Sequence, residues 1–164
     1  MREWRMAAEL ALQLTKTIER ELPNLRSLTE EQASLPRGPG KWSPKEELGH
    51  LIDSAANNHI RIAVAALEGQ YRGPGYAQEE WVSLHGYLET QWTSIVDSWF
   101  DHNRLLSRLV QRIPESRLDA PCSIGGHPPV TLGFVIEDYI LHMQHHVDQL
   151  LRREVVTEYP GAKL

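Results

Sequence analysis

Four stretches of this chain carry apolar residues at helical spacing, each bounded by proline or glycine, and that pattern commits the chain to packed helices. From Glu3 to about Leu22, the residues Met6, Leu10, Leu14 and Ile18 recur every fourth position, one face of a first helix that Pro23 is expected to end. Leu28 to Ser34 reads as one helical turn, after which Pro36, Gly38, Pro39 and Gly40 bar regular structure. Ser43, Pro44 and Glu46 then form a start signal: a capping hydroxyl, a proline where no N–H is needed, and an acid near the positive end of the dipole. The second helix therefore runs from about Pro44 to Leu67 and stops at Gly69. Gly73-Pro74-Gly75 marks a loop, and Gln78 to Leu84 a short helix carrying Trp81, with a break near Gly86. A third long helix is expected from Leu88 to Ile113, with Trp92, Ile95, Trp99, Leu105, Leu106 and Leu109 as its apolar positions and Pro114 closing it. The segment from Pro114 to Pro129 suits an ordered connection with a short hairpin. Thr131 caps a fourth helix from Leu132 to about Arg152, and residues 153–164 are left as an extended tail.

Four such helices, with one long crossover and two shorter connections, pack as an all-α, up-and-down four-helix bundle. At 164 residues the chain fits a single domain over 1–164, its bundle spanning about 3–152. Nucleic acid is a poor partner: the formal charge is −5, and the 17 basic residues are scattered among 22 acidic ones. Cys122 is the single cysteine, which excludes an intrachain disulfide and any zinc site built from several cysteines. A reducing cytoplasm is the matching location. The opening MREWRMAAELALQL carries acidic residues and no apolar leader, so it reads as helix and not as a signal peptide. No stretch approaches a membrane span, and no membrane partner is expected.

Chemistry enters with the histidines. His142 and His146 lie four residues apart and project the same way, about 6 Å along the axis. One further imidazole from a neighbouring helix, with His50 the candidate, completes a three-nitrogen site. Neutral imidazole suits zinc, nickel, copper or iron(II), and three protein ligands leave a position for water or substrate. A lone helical histidine is more often a surface or hydrogen-bonded core residue. His142 and His146, however, share a face beside Leu141 and Val147, and buried without metal they would need partners for four nitrogens. His145 sits about 100° from His146 and about 60° from His142 on the wheel, which suits a rim residue while leaving a His142–His145 pairing open. His59, His85, His102 and His127 lack a partner at ligand spacing and are expected on the surface, His127 at a pocket rim.

The string WSPKEELGHLIDSAANNHIRI, followed further on by TLGFVIEDYILHMQHHVDQL, resembles the DinB/YfiT-like superfamily of metal-binding four-helix bundles, and within it the YfiT branch. Trp42, His50, Asp53, Ser54, Asn57 and Arg61 fall on the first pattern of that branch, and His142, His145 and His146 on its terminal HxxHH. The likeness covers Trp42 to Leu151, the first helix matching only in character. It implies one divalent ion, nickel or zinc, on His50, His142 and His146, and a homodimer. The superfamily contains thiol S-transferases using bacillithiol or mycothiol, a maleylpyruvate isomerase, and proteins described as metal-dependent hydrolases. This chain has Ala55 where the branch usually has a further, non-ligating histidine, which leaves the exact branch open.

Neighbouring residues have physical roles beside that resemblance. Asp53, three after His50, and Asp138, four before His142, are each placed to accept a ligand's distal N–H from another helix; the alternative is an exposed carboxylate or an ion pair with Arg61. Asn57 and Arg61 are candidates for holding an anionic part of a small-molecule substrate. Trp81, Trp92 and Trp99 suit core or pocket wall. An open metal site supports either a water activated from a pKa of about 15.7 toward 7 or a low-molecular-weight thiol cosubstrate held as thiolate. The resemblance favours thiol transfer, since no residue is an obvious dedicated base; for hydrolysis, His145 or Asp53 would be the catalytic candidates. A non-catalytic metal-binding stress or interaction module is the third reading, marked by a fourth protein ligand such as Asp53 or His145.

Overall fold

The helix starts expected at Ser43 and Thr131 follow their capping chemistry in the computed structural model, which describes residues 6–163; the expected start at Glu3 lies outside them. The elements are helices α1 (Ala7–Arg26), α2 (Glu30–Ser34), α3 (Pro44–Glu68), α4 (Gln78–His85), α5 (Trp92–Gln111) and α6 (Leu132–Leu150), with strands β1 (Tyr71–Gly73), β2 (Pro121–Ile124) and β3 (Val130–Thr131). At the head of α3, Ser43 Oγ accepts the Glu46 N–H while the Glu46 carboxylate accepts the Ser43 N–H at 2.8 Å. Gly69, at φ 79°, ends the helix in a conformation that a residue with a Cβ resists. Thr131 accepts the Phe134 N–H and starts α6. The expected hairpin is β2 against β3, antiparallel, with β1 added in parallel to β2.

Three boundaries differ from the sequence reading. Helix α1 continues through Pro23 to Arg26. Proline inside a helix removes one hydrogen bond at a cost of about 3 kcal/mol, yet the last turn is held by Leu25, which is fully buried and whose carbonyl accepts Trp92 Nε1–H at 2.8 Å. Helix α5 starts at Trp92 and not at Leu88, because Gly86 turns the chain at φ 61° into a 3-10 turn over Tyr87–Glu89. The Glu30 carboxylate then accepts the Trp92 N–H at 2.8 Å, a cap supplied by α2. The tail is not a free extended end: it finishes in a 3-10 turn over Pro160–Lys163 that packs on α6.

The all-α four-helix bundle is present, and its winding is more particular than alternation. Around the ring, α1 packs on α5, α5 on α3, α3 on α6, and α6 on α1. Ala7 N–H reaches Glu115 and Arg26 reaches Asp97, so α1 and α5 are antiparallel. Lys45 meets the Leu88 carbonyl and His59 meets His102 at one constant offset, so α3 and α5 run parallel. Glu47 meets His146 and His50 meets His142, so α3 and α6 are antiparallel. The long crossover is therefore residues 69–91, which carry the chain back along the bundle between two parallel helices.

Leu14, Ile18, Leu48, Ile62, Trp99 and Ile136 fill the centre. Of the expected apolar positions, Leu105 is instead 57% exposed and Trp81 36% exposed. Gly49 lies flat under Tyr87, whose ring a Cβ would overlap. Among the described residues no helix is long and apolar enough to cross a membrane.

Candidate metal centre

Antiparallel packing of α3 on α6 puts His50 opposite His142 and His146. The Nε2 atoms of His50 and His142 are 3.3 Å apart, and one nitrogen from each of the three rings lies within 4.8 Å of the others. Edge-to-face contacts, at ring-centroid separations of 4.5 to 5.2 Å, hold the three imidazoles around a common point. The Glu47 carboxylate accepts His146 Nδ1–H at 3.0 Å, which leaves the Nε2 lone pair of that ring free. Glu47 is buried to 1% exposure and is itself faced by Arg37 Nε at 3.3 Å. His50 lies under Trp42, ring centroids 5.1 Å apart.

Burial, with a smaller push from the nearby His146, drives the His50 pKa down to about 3 and that of His142 well below its ordinary value. Both rings are therefore neutral near pH 7. His50 Nδ1 is buried and finds no hydrogen-bond partner among the described residues. Three converging imidazoles, one with an orphaned buried nitrogen and one oriented by a carboxylate, fit a divalent borderline metal, which takes imidazole lone pairs as ligands.

Beside the imidazoles opens a cavity of about 460 Å³, walled by His142, His146, Arg61, Tyr76, Asp138 and Tyr139, with His127 also on its border as expected. Arg61 is 8% exposed; it donates to the Pro74 carbonyl at 3.3 Å and to Asn58 Oδ1 at 3.4 Å, and lies over the Tyr76 ring at 5.8 Å. Among the described residues no carboxylate pairs with it, so the proposed Arg61–aspartate bridge is not formed. Cys122 also borders the cavity, with burial pushing its thiol up to about 11. The tail reaches this wall: the Tyr159 ring packs on His142 at 5.1 Å and on His145 at 5.3 Å, and Gly161 N–H donates to Asp138.

Several expected roles fall to other residues. Asp53 accepts the Tyr87 hydroxyl at 2.7 Å and His85 Nδ1–H at 3.0 Å, and hydrogen-bonds none of the three clustered imidazoles. Asp138 is engaged by Gly161, its carboxyl pKa raised by burial, and it too bonds no imidazole. The carboxylate that does so is Glu47. His145 faces the tail, Nδ1 against the Thr157 carbonyl at 3.1 Å and Nε2 against the Gln149 amide at 2.8 Å. Neither Asp53 nor His145 joins the three-nitrogen group as a fourth ligand. Asn57 donates to the Asp53 carbonyl at 2.9 Å and does not border the cavity; Asn58 does. His59 and His102, expected without partners, meet each other at 3.2 Å. Glu47 carried one usable signal, an acid one turn before His50, with nothing to rank it above Asp53.

Comparison with known proteins agrees with this fold. The DinB superfamily profile matches residues 13–150. Among solved structures, the chain is similar to YfiT from Bacillus subtilis, described as a probable metal-dependent hydrolase with an unusual four-helix bundle topology, at a TM-score of 0.81 and 17% identity, covering 93% of this chain and 89% of that one. No curated protein matches by sequence.

Proposed function

The chain belongs to the DinB superfamily, and from that premise we propose that it is a divalent-metal-dependent enzyme that transfers a small thiol to an electrophile. The observation that carries this reading is the convergence of His50, His142 and His146, one of them backed by Glu47, beside a 460 Å³ cavity lined by the latter two and by Arg61, with which no carboxylate among the described residues pairs. Those three histidines would hold the ion, zinc or nickel, which supplies Lewis acidity that lowers the pKa of a coordinating nucleophile. Everything else is done by the chain. Glu47 keeps the His146 proton on Nδ1. Arg61, desolvated and pre-positioned by Asn58 and Pro74, receives a carboxylate or similar anion bidentately. Phe134, Val135 and Tyr159 supply apolar wall for the rest of a small molecule.

Side-chain bases are scarce, and this favours a thiol. Asp53 is engaged by Tyr87 and His85, Asp138 by Gly161, and His145 by Thr157 and Gln149, so a nucleophile that sheds its proton without a base suits the site better. Hydrolysis is the second reading. It is supported by the description of the Bacillus subtilis protein and by Asp138, which borders the cavity and stays protonated further up the pH scale than an ordinary aspartate.

The deciding experiment loads the protein with zinc or nickel and measures thiol conjugation of 1-chloro-2,4-dinitrobenzene and monochlorobimane with several thiols, beside a panel of small esters and amides. We expect thiol turnover that falls at least ~100-fold in His50→Ala, His142→Ala and His146→Ala. Ester or amide cleavage without thiol turnover would replace transfer by hydrolysis. Full metal occupancy with neither reaction would make the protein a non-catalytic metal-binding module.

A further inference from the structure

We propose a second metal site, apart from the first, in which His59 of α3 and His102 of α5 chelate one divalent transition-metal ion through two imidazole nitrogens. His59 Nδ1 and His102 Nε2 are 3.2 Å apart, with ring centroids at 5.3 Å and planes tilted by 53°. With metal–nitrogen bonds of about 2.0–2.1 Å, two nitrogens on one ion stand about 2.9 Å apart at a right angle and about 3.4 Å apart at the tetrahedral angle. The observed gap falls inside that interval, as does the 3.3 Å between His50 and His142.

The pair is independent of the first centre. Helix α3 packs on α6 with the side that carries His50 and on α5 with the side that carries His59, so the two sites share no residue. Both rings are half-buried, enough to fix their rotamers while leaving solvent access. Burial, reinforced by His59 alongside, holds the His102 pKa below its ordinary value, so that ring offers a lone pair at neutral pH. Without metal the same geometry accommodates one N–H···N hydrogen bond, so loading an ion requires only that the donor ring carry its proton on its other nitrogen, with little movement of either ring. A groove of about 620 Å³ bordered by His59, Leu105, Arg108 and Arg112 leaves room for waters to complete the coordination. Those arginines weaken the site for a bare cation and favour an anion among the remaining ligands, so this site binds less tightly than the three-imidazole centre. Its consequence is mechanical: an ion there ties two parallel helices together and binds only the folded chain.

Equilibrium dialysis of the full chain against zinc, nickel or copper(II), with elemental analysis, tests the assignment. Wild type should take up two ions per chain with separable affinities. His59→Asn and His102→Asn should each lose the weaker ion alone, and His142→Ala the tighter one alone. As a check that needs no variant, diethyl pyrocarbonate modification of His59 and His102, located by mass spectrometry, should slow at least fivefold when the second equivalent of zinc is added. One ion per chain in wild type, or a second ion that survives both asparagine substitutions, overturns the site and marks any further uptake as adventitious. Unchanged modification rates do the same.

Discussion

Glu47 and Asp53 stand about 60° to either side of His50 on the helical wheel, and only Glu47 is on the side that faces α6. Spacing made both carboxylates eligible; the ring order of the helices chose between them, and that order is a property of the whole chain. His142 and His146 were legible because i and i+4 on one helix is a local relation, whereas a carboxylate reaching across to His146 is not. The choice has a measurable consequence. In Glu47→Gln the amide oxygen can still accept the Nδ1–H, but the charge that raises the basicity of the ring is gone, so metal affinity should fall about 10–100-fold with the fold retained. Competition against a chromophoric chelator reads this directly, and an affinity within twofold of wild type would remove Glu47 from the account.

Local signals set some element boundaries in this chain, and distant residues set others. The Ser43 and Thr131 caps lie where the sequence puts them, as does the stop at Gly69. Helix α1 overran its proline because Leu25 is buried against the core and its carbonyl is taken by Trp92, and the α5 start is fixed by Glu30, 62 residues away. The tail's polar, proline-containing residues carry no helical period, yet ion pairs dock it. Arg153 bonds Glu21 at 3.1 Å and Asp148 at 2.8 Å. Burial of Glu21 opposes its ionisation, but hydrogen bonds from Arg153, Arg20 and Asn24 outweigh it and hold the carboxyl below its ordinary 4.5. A depressed pKa means that the native state binds fewer protons than the unfolded chain in that window. The stabilisation is therefore complete above pH 4.5 and lost as the pH falls through the lowered value. Glu21→Gln should accordingly melt below wild type at neutral pH, the gap closing on acidification below that point. Melting curves between about pH 7 and 3 test it, and a gap independent of pH would assign the loss to packing.

At the scale of the molecule, the up, down, down, up winding places α3 between α5 and α6, so one helix carries both an imidazole of the three-histidine cluster and the one that faces the outer groove. The bundle itself was legible from four periodic runs, but the diagonal placement of α1 and α3 was not, because periodicity says which face is buried and not which helix covers it. Since the three-imidazole site spans α3 and α6, an ion bound there stabilises the folded chain only. At a free metal concentration 100 times the dissociation constant the gain is about 2.7 kcal/mol, which for a chain of this length corresponds to roughly 5–10 °C in melting temperature. The measurement is cleanest in His59→Asn, where the outer pair cannot contribute: a chelator should lower the melting temperature by that amount, and zinc should restore it. Adding His50→Ala should abolish the response, because the two imidazoles that remain, His142 and His146, both stand on α6 and cannot hold α3 to it through the ion. A metal response that persists in that double variant would place the stabilising ion elsewhere in the molecule, and with it the assignment of the three histidines would fall.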